Sequence, residues 1–519
     1  MAQATLVKRG AYHDSVALLI LARALRARPG VREAAVVMGT PANCDLLAQA
    51  GLLTEEARAA TPNDLVVVVE AETPAGAAAA AAAAEPLLAR DAPRGGRADR
   101  PRPRTTAGAI RRMPEANLAL ISVPGAFAAA EARVALSGGL NVILWSDNVS
   151  LVDEIALKRQ ALARGLLLMG PDCGTAYVAD VPLGFANAVP PGRVGLVAAS
   201  GTGLQQVATL LAGCGHGISH AIGVGGRDMS EPVGGIMTLA ALDLLAGNAA
   251  TELIVVIGKP PAPAVAERIR AKLAGIGKLA VVCLLGRDVT AGREGWVTTV
   301  ATLEDAALAA DAALAGTAWR PRVFPVPEVS RRIADARRDL GPGQSTVLGL
   351  YAGGTLAHES LLILEPLLGP VASNLTGSEG RHRVLDLGAD EFTVGRAHPM
   401  LDPTTRVAMI GRATQQADLA VLLLDVVLGH GAAADPAGDV APALEAARAA
   451  ARARGRGLAV VASVVGTTRD PQGLAAQVSR LEAAGAWVLP SNAQAARAAA
   501  AIAGGEAVLT ALLGPGARA

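Results

Sequence analysis

The chain has 519 residues, which is long for one ordinary domain and predicts two to four domains. Its 47 Lys and Arg residues nearly balance 46 Asp and Glu residues, so charge gives no support for a nucleic-acid binder or a polybasic membrane-surface protein. Aromatic residues make up only 2%, which also argues against a base-stacking platform. The preference for Arg over Lys and the Ala-rich tracts indicate a genome-level bias, and we infer no function from them.

The cysteines are far apart and form no CxxC pair; they are Cys44, Cys173, Cys214 and Cys283. This spacing argues against a disulfide framework or a thiolate zinc site and favours a reducing cytosol. The first residues, MAQATLVKRG, lack the apolar segment of a signal peptide. The uncharged stretch 194–226 is rich in glycine, which indicates an α/β segment rather than a membrane span. We therefore expect a soluble cytoplasmic protein that binds neither nucleic acid nor membrane.

Short β-branched runs alternate with Ala- and Leu-rich helical stretches, the pattern of parallel sheets covered by helices. In the first part of the chain, strands are predicted at Thr5–Lys8, Ala34–Met38 and Leu65–Glu70. Breaks in the pattern rich in proline divide the chain. The predicted segments are an N-terminal α/β unit at 1–91, a flexible Pro/Arg-rich linker at 92–113, a Rossmann-like unit at 114–192, an α/β block at 193–320, a linker at 321–344 that ends in a helix, and a second block at 345–519.

The two blocks after residue 193 share one plan. In each, a β-branched strand enters a helix through small residues, SGT at 200–202 and GGT at 353–355. Three further landmarks follow in the same order: GVGGRDMSEPVGG and DLGADEFTVGRAHP, LIVVIG and LAVLLLD, LAVVCLLG and LAVVASVVG. This order predicts an internal duplication, with 194–318 and 345–513 folding as flavodoxin-like parallel units.

A strand that enters a helix through small residues leaves the first helical N–H groups open, and the helix dipole favours an anion there. Two such turns in a duplicated pair could hold one phosphoryl or carboxylate group between them. The alternative is that each turn only caps its helix. The predicted anion-binding residues are Ser200, Gly201, Thr202, Gly203, Gly353, Gly354 and Thr355.

No HExxH motif occurs, so no catalytic metal is expected. His358, one turn into the second helix, and His398, in a polar cluster, are the candidates for phosphate or proton chemistry; a solvated or capping role is the alternative. Asp386, Asp390 and Glu391 group three carboxylates that could bind Mg²⁺ beside a phosphate, or form a solvated loop. No GxGxxG turn, GxSxG or P-loop motif occurs.

Several motifs resemble the succinyl-CoA synthetase superfamily. PGAFAAAEARVAL, MGPDCGTAY and AASGTGLQQVA resemble its α-subunit, and AGGTLA with LDLGADEF resembles the ligase domain of its β-subunit. In that enzyme two helix N-termini hold a phosphohistidine between them. The whole span 8–472 is more similar to the FdrA family of acyl-CoA synthetase-like proteins, through MGTPAN, SDNV, SHAIGVGGRD, YAGGTLA, DEFTVGRAHPMLDP and LLLDVVLGHGAAADPA.

The resemblance implies an α/β fold of several parallel-sheet Rossmann- and flavodoxin-like units, with a CoA-binding domain followed by two duplicated ligase domains. It implies CoA or a nucleotide as candidate cofactors, with Mg²⁺ as a further candidate. The implied cofactor-binding residues are Pro124, Asp147, Asn148, Gly170, Pro171 and Asp172. A further polar site comprises Arg227, Asp228, Asp386, Asp390, Glu391 and Arg396.

Two departures from the superfamily leave the reaction open. The ligase active-site histidine has no counterpart, because the chain has no histidine between His220 and His358. The ATP-grasp domain of the β-subunit has no room, because 329–343 runs directly into the second block. The resemblance thus implies either a CoA-ligase-like enzyme or a carbamoyltransferase subunit in ureide and oxamate catabolism. It implies a small acyl or carbamoyl substrate, with companion subunits or a homo-oligomer; a non-catalytic scaffold is the third hypothesis.

Overall fold

The computed structural model describes residues 2–11, 15–40, 43–44, 47–48, 50–91, 103–286, 289–321, 324, 328–393 and 397–513. The chain forms two compact units. The first comprises Met1–Arg102 with Asp390–His398, and the second comprises Pro103–Ala389 with Pro399–Ala519. Within the described ranges, no helix combines the length and the apolar character needed to cross a membrane.

The first unit is built on a three-stranded sheet in the order β1-β3-β2, with both pairs antiparallel. The three strands predicted there are confirmed, but the expectation of parallel pairing is wrong for this unit. Its elements are β1 Ala2–Lys8, α1 Ser15–Arg26, β2 Val31–Met38, α2 Glu55–Arg58, β3 Leu65–Ala71, α3 Pro74–Ala82, α4 Ala84–Asp91 and, from the later segment, α14 Asp390–Thr393.

The central strand β3 explains this arrangement. Val67 and Val69 face one hydrophobic cluster with Leu25, while Val66 and Val68 face a second cluster with Ala57. Because successive strand residues point to opposite faces, a continuous apolar run requires cover on both sides of the sheet. A run of valines without polar alternation carries no information on strand direction, which is why parallel pairing could not be excluded from the sequence.

The second unit begins with a small parallel sheet in the order β4-β5-β6. Part of the predicted linker 92–113 is helical, because Thr105 caps a helix by accepting from the Gly108 N–H at 3.1 Å; residues 92–102 lie outside the described ranges. The elements are α5 Thr106–Arg112, β4 Leu118–Ile121, α6 Gly125–Ser137, β5 Asn141–Leu144, α7 Leu151–Ala163 and β6 Leu168–Met169.

The first block forms an eight-stranded sheet in the order β13-β14-β12-β11-β9-β10-β7-β8. Strands β9, β10, β11, β12 and β14 are parallel, and the hairpin β7–β8 from the segment before residue 193 extends one edge. The elements are β7 Thr175–Val178, β8 Val181–Gly184, β9 Pro191–Ala198, α8 Gly201–Gly213, β10 Ile218–Gly223, α9 Ile236–Gly247, β11 Leu253–Gly258, α10 Pro263–Ile276, β12 Leu279–Leu284, β13 Gly292–Glu294, β14 Val297–Thr299 and α11 Leu303–Leu314.

The second block forms a six-stranded sheet in the order β16-β17-β15-β18-β19-β20, and every pair is parallel. The expectation of two parallel α/β blocks is therefore confirmed. The elements are α12 Glu328–Arg338, β15 Thr346–Tyr351, α13 Gly354–Leu368, β16 Val371–Ser373, β17 His382–Asp386, α15 Thr404–Ala413, β18 Leu419–Val427, α16 Pro436–Arg452, β19 Ala459–Val465, α17 Leu474–Ala483, β20 Ala486–Leu489, α18 Asn492–Gly504 and α19 Glu506–Leu513.

One hydrophobic cluster runs through both blocks. It joins Leu204 and Leu211 of α8 to Leu356 of α13 and to the alanines of α18. Helix α18 is buried on nearly all sides, and its alanine side chains let neighbouring helices and strands approach closely. The two blocks therefore share a core, which fixes the starts of α8 and α13 relative to one another.

Candidate functional site

The two predicted anion-binding turns lie against each other. The Ser200 hydroxyl donates to the Thr355 hydroxyl oxygen at 2.6 Å, across 155 positions of sequence. A Cβ built at Gly353 would lie 2.9 Å from Thr202 Oγ1, and one at Gly203 would lie 3.1 Å from Thr355 Cγ2. Glycine is thus needed where the turns touch, and we call 200–203 and 353–355 the paired turns.

The first turn has a side-chain cap. Ser200 is the N-cap residue of α8, and its Oγ accepts from the Gly203 N–H at 2.9 Å. Ser200, Gly201 and Thr202 are only half-buried, so the open start of this helix reaches solvent. The unsatisfied N–H groups of the first helical turn, with the helix dipole, form an anion site of the kind that the sequence predicts.

The second turn uses a carboxylate from another strand instead. Gly353, the N-cap residue of α13, has no side chain to cap with. Asp425 of β18 accepts from the Ala352 N–H at 2.8 Å and from the Gly353 N–H at 2.7 Å. The guanidinium of Arg406 donates to Asp425 Oδ1 at 2.8 Å and to its backbone oxygen at 2.7 Å. This ion pair is buried, so it holds the turn without offering a charge to a ligand.

A second carboxylate lies at the start of α13. Asp386 is the last residue of β17, is 7% exposed, and is so near Gly354 that a Cβ on Gly354 would overlap its carboxylate. Its Oδ1 accepts from the Gly388 N–H at 2.9 Å. The N-terminus of α13 therefore already faces a negative charge, whereas the described contacts of Gly201 and Thr202 include none.

The residues that the resemblance implies for cofactor binding gather at one edge of the β4-β5-β6 sheet. Pro124 follows β4, Asp147 and Asn148 follow β5, and Gly170–Asp172 follows β6. A Cβ on Gly125 would overlap the backbone oxygens of Asp147 and Asn148, so the first two loops touch. The third loop is tied in through the Asp172 N–H, which donates to Ser146 O at 3.1 Å. Ligands of open parallel sheets bind at this carboxyl edge.

Arg227 and Asp228, predicted as a polar site, belong to an ion cluster in which Asp228 is buried and Arg227 is about half exposed. Lys158, fully buried, donates to Glu154 Oε1 at 2.7 Å and to Asp228 Oδ1 at 2.7 Å. Asp228 Oδ2 also accepts from the Thr238 N–H at 2.8 Å at the start of α9. Arg227 lies 2.8 Å from Glu154 Oε2. Removing one member would strand a buried charge at a cost of about 3–5 kcal/mol, so this cluster positions α7 against α9.

The remaining predicted residues are placed as follows. His358 is half-buried in the first turns of α13, close in sequence to Thr355. Glu391 and His398 fall in the first compact unit. The side chain of Asp390 and the whole of Arg396 lie outside the described residues. Among the described residues, no group of three His, Cys, Asp or Glu side chains could hold a metal ion.

Sequence reasoning missed the buried groups that join the two blocks behind the paired turns. Asn187 donates to Asp470 Oδ2 at 2.9 Å, and Gln205 of α8 donates to Asn187 Oδ1 at 3.1 Å. Glu359 of α13 accepts from the Leu303 N–H at 2.7 Å and from Asn492 at 2.8 Å. Burial raises the pKa of Glu359 to about 7, against the opposing effect of these hydrogen bonds. Polar residues inside apolar strands and helices were the available signal.

Two family models match parts of the chain. Residues 1–103 match the AllF heavy metal-associated domain, and residues 350–502 match the CoA-ligase domain. The donor set of the first match does not fit a soft-metal site, because residues 1–103 contain one cysteine, Cys44, and one histidine, His13. Cys44 is half-buried and its Sγ contacts Ala57 O at 3.7 Å, while His13 lies outside the described residues.

Comparison with known proteins gives a relative that matches over nearly the full length. Protein YahF of Escherichia coli K12 is 39% identical over 497 residues, which cover 94% of this chain and 96% of YahF. Subunit alpha 2 of the ADP-forming succinate–CoA ligase of Archaeoglobus fulgidus is 29% identical over 155 residues, 28% of this chain and 52% of that subunit. The chain thus spans about half the length of that ligase subunit.

Among solved structures, the dinucleotide-forming acetyl-coenzyme A synthetase 1 of Ca. Korarchaeum cryptofilum, in complex with phosphate and ADP, is 16% identical. It covers 74% of this chain and 82% of its own, with a TM-score of 0.29. On the full-length match and the CoA-ligase match together, the chain belongs to the family of Escherichia coli YahF and carries a CoA-ligase domain in its C-terminal part.

Proposed function

We propose that this chain is an acyl-CoA synthetase-like enzyme of the FdrA family, in the succinyl-CoA ligase superfamily. In this proposal the paired turns hold the phosphate of an acyl or carbamoyl phosphate. The observation that carries it is the contact between two helix N-termini from the two blocks, where Ser200 and Thr355 are 2.6 Å apart. The CoA-ligase match at 350–502 supports the class of enzyme.

The donors for phosphate come mainly from the first turn. The N–H groups of Gly201 and Thr202 lie at the open start of α8, and the Thr202 hydroxyl stands beside Gly353. Thr355 accepts from Ser200 through its oxygen, so its own hydroxyl proton remains able to donate. Hydrogen bonds to a charged oxygen are short and strong, and several converging ones distinguish phosphate from a neutral acyl group.

The same proposal assigns CoA to the carboxyl edge of β4-β5-β6. Three loops meet there, around Pro124, Asp147–Asn148 and Gly170–Asp172. A nucleotide is the alternative ligand of this edge, and companion subunits would supply the nucleotide chemistry for which the chain has no ATP-grasp domain. His358, near Thr355, is the candidate for proton chemistry in this arrangement.

The test is binding of acetyl phosphate and carbamoyl phosphate to the whole chain by isothermal titration calorimetry. Replacing Thr202 and Thr355 together by Val keeps shape but removes two donors, and we expect about a 100-fold weaker affinity. Thr105→Val is the matched control, because it removes a helix cap remote in sequence from both turns. If both variants lost stability equally and affinity stayed unchanged, the paired turns would only cap their helices.

A stronger variant at the same place is Gly201→Asp. Gly201 is half-buried, and a Cβ there would lie 3.1 Å from Thr175 Oγ1, so the new side chain is crowded. Its carboxylate would repel phosphate at the helix start, and we expect no measurable phosphate binding. Gly201→Ala separates the two effects, because it adds the same Cβ without the charge.

A second candidate function is a carbamoyltransferase subunit that acts on oxamate. It is favoured by the absence of any histidine between His220 and His358, since transfer from carbamoyl phosphate needs no phosphoenzyme. Attack of an acceptor amide on the carbamoyl carbon breaks the C–O bond and releases phosphate. Phosphate release from carbamoyl phosphate with oxamate, measured with and without CoA and companion subunits, separates the two functions. A chain that binds neither acyl phosphate nor CoA would instead be a scaffold.

A further inference from the structure

A cavity of about 580 Å³ lies where the strands of the second block's sheet begin. The paired turns lie where these strands end. Its lining includes the first residues of β19, from Ala459 to Val461, and Trp487 of β20. Its walls come from α12 and from the C-terminal part of α16. Because β15, β18, β19 and β20 are parallel, the strand starts at this cavity and the strand end at Gly353 are on opposite edges. The cavity is therefore separate from the proposed phosphate site.

Four arginines line this cavity, and we call it the arginine cavity: Arg332, Arg448, Arg452 and Arg456. Two acidic residues, Asp335 and Asp339, also line it, and Asp335 is already ion-paired with Arg338. Arg456 donates to two backbone oxygens, Gln416 O at 2.6 Å and Thr414 O at 3.0 Å, and no carboxylate of the described residues forms an ion pair with it. The lining thus has an excess of positive charge.

Arg448 and Arg452 stand out among these groups. Within the described part of the chain, neither forms an ion pair, and Arg448 donates only to the Ala484 backbone oxygen at 3.2 Å. Burial, with the neighbouring charge of Arg452, lowers the pKa of Arg448, while Asp339 opposes this effect. Two guanidinium charges held close together are unfavourable unless anions offset them, and Asp339 supplies only one negative charge.

The backbone around Arg448 is shaped to admit its guanidinium. The guanidinium lies so close to Gly485 that a Cβ at this position would overlap it. Gly485 also has a φ of 83°, in the left-handed region that glycine tolerates best. Any other residue at 485 would displace Arg448, so the position of this charge depends on the glycine.

An aromatic surface completes the lining. Trp487 is half-buried at the start of β20, and the Arg332 guanidinium lies 5.1 Å from its ring centroid. Such an arrangement gives a flat face beside a cluster of cations. Cavities of this volume are typical of small organic ligands rather than of single ions.

We propose that the arginine cavity binds a small phosphorylated organic molecule, with its phosphate between Arg448 and Arg452 and its planar part against Trp487. Guanidinium groups match phosphate oxygens in a bidentate manner, which favours phosphate over a single carboxylate. Three glycines in the lining, Gly455, Gly457 and Gly485, keep side chains out of the space beside these arginines. The site does not depend on the function proposed for the paired turns.

The test uses the whole chain at low salt, titrated with ADP, inorganic pyrophosphate and adenosine. ADP is expected to quench the fluorescence of Trp487, and Trp487→Phe should remove that quench. Pyrophosphate should bind by calorimetry without a comparable quench, and adenosine should not bind. Arg448→Gln and Arg452→Gln should each weaken ADP binding by about 10-fold or more, and the double variant by about 100-fold.

Two controls assign the binding to this cavity. Arg412→Gln removes an exposed arginine at the end of α15 and should leave ADP affinity unchanged. Thr202→Val should also leave it unchanged, because Thr202 belongs to the paired turns. Arg448→Lys keeps the charge but loses the bidentate geometry, and we expect an intermediate affinity.

The proposal is overturned if neither ADP nor pyrophosphate binds at millimolar concentration. It is also overturned if the double arginine variant, folded by circular dichroism, binds ADP like the original chain. Loss of ADP binding in Thr202→Val but not in Arg448→Gln would place the ligand at the paired turns. Binding of citrate without ADP would reject the phosphorylated class.

Discussion

The two blocks start their first helix from the same strand–turn plan but satisfy the turn in different ways. In the first block, the Ser200 side chain caps α8 from within the turn. In the second block, Gly353 cannot cap α13, and Asp425 from the neighbouring strand β18 accepts the N–H groups of Ala352 and Gly353. The equivalent strand of the first block, β11, ends in Ile257 and Gly258 and offers no acid.

Because of this difference, the two helix starts have different electrostatic surroundings. The start of α13 faces two carboxylates, Asp425 neutralised by Arg406 and Asp386 against Gly354. At the start of α8, the described hydrogen bonds of Ser200 and Gly203 are to hydroxyl and backbone groups. The two helix N-termini thus lie together, but a carboxylate is described only at the start of α13.

The largest effect is expected from removing the acid of the second block. Asp425→Ala leaves Arg406 buried without its partner and frees two N–H groups, so we expect the free energy of unfolding to fall by about 3–5 kcal/mol. Ser200→Ala removes the corresponding cap of the first block and should cost only about 1 kcal/mol. Urea unfolding of both variants measures the two values. Equal losses would mean that the turns are held alike.

The contact between the two blocks should depend on pH through Glu359. Its carboxyl joins Leu303 of α11 to α13, and burial raises its pKa to about 7 from an ordinary value of 4.5. The folded state therefore binds the proton more tightly than the unfolded state. This contribution to stability is full below about pH 4.5 and is lost as pH rises towards 7, a loss of up to about 3 kcal/mol.

Glu359→Gln isolates this contribution, because glutamine keeps the volume without titrating. We expect the difference in unfolding free energy between the original chain and the variant to change between pH 5 and pH 8, in the direction that weakens the original chain. All other ionisable groups are common to both proteins, so their contributions cancel in the difference. A constant difference over this range would show that Glu359 titrates at an ordinary pKa.

The sequence predicts what depends on local pattern. β-Branched runs indicated the strands, and the SGT and GGT turns indicated two helix starts that the structure brings into contact through Ser200 and Thr355. The role of Asp425 could not be predicted, because an acid near the end of an apolar strand looks the same whether it meets solvent or a distant backbone. The direction of β3 was also hidden, since its unbroken valines fit parallel and antiparallel neighbours equally.

The arginines of the cavity could not be predicted from the sequence either. Its abundance carried no positional information, so a compositional bias was the only interpretation open to the sequence. The fold places Arg332, Arg448 and Arg452 around one cavity, from segments more than a hundred residues apart. For Arg227 and Asp228, by contrast, a motif did suggest a polar site. The structure places both residues in an ion cluster with Lys158 and Glu154.

A smaller effect is expected from the charge in front of α13. Asp386→Asn removes a negative charge beside Gly354 and should strengthen the binding of acetyl phosphate by about 5- to 10-fold, or about 1 kcal/mol, in the absence of divalent cations. Asp418→Asn, at the opposite end of the sheet before β18, is the matched control and should change nothing. Calorimetry with and without Mg²⁺ checks both. Weaker binding in Asp386→Asn would mean that Asp386 acts through a bound cation instead.

The last prediction is that the chain alone forms no phosphohistidine with ATP. After β12, the first block has no histidine at the turn where the resemblance places the phosphorylated residue, and the chain has none between His220 and His358. In the second block, the turn after β18 does carry His430, which is exposed and whose backbone N–H donates to Ala186 O at 2.7 Å. Incubation of the chain alone with labelled ATP should therefore leave no acid-labile phosphate. Stoichiometric labelling of His358, His398 or His430, located by mass spectrometry, would contradict this prediction. It would also restore a ligase mechanism through a relocated histidine, and labelling of His430 would assign that step to the second block.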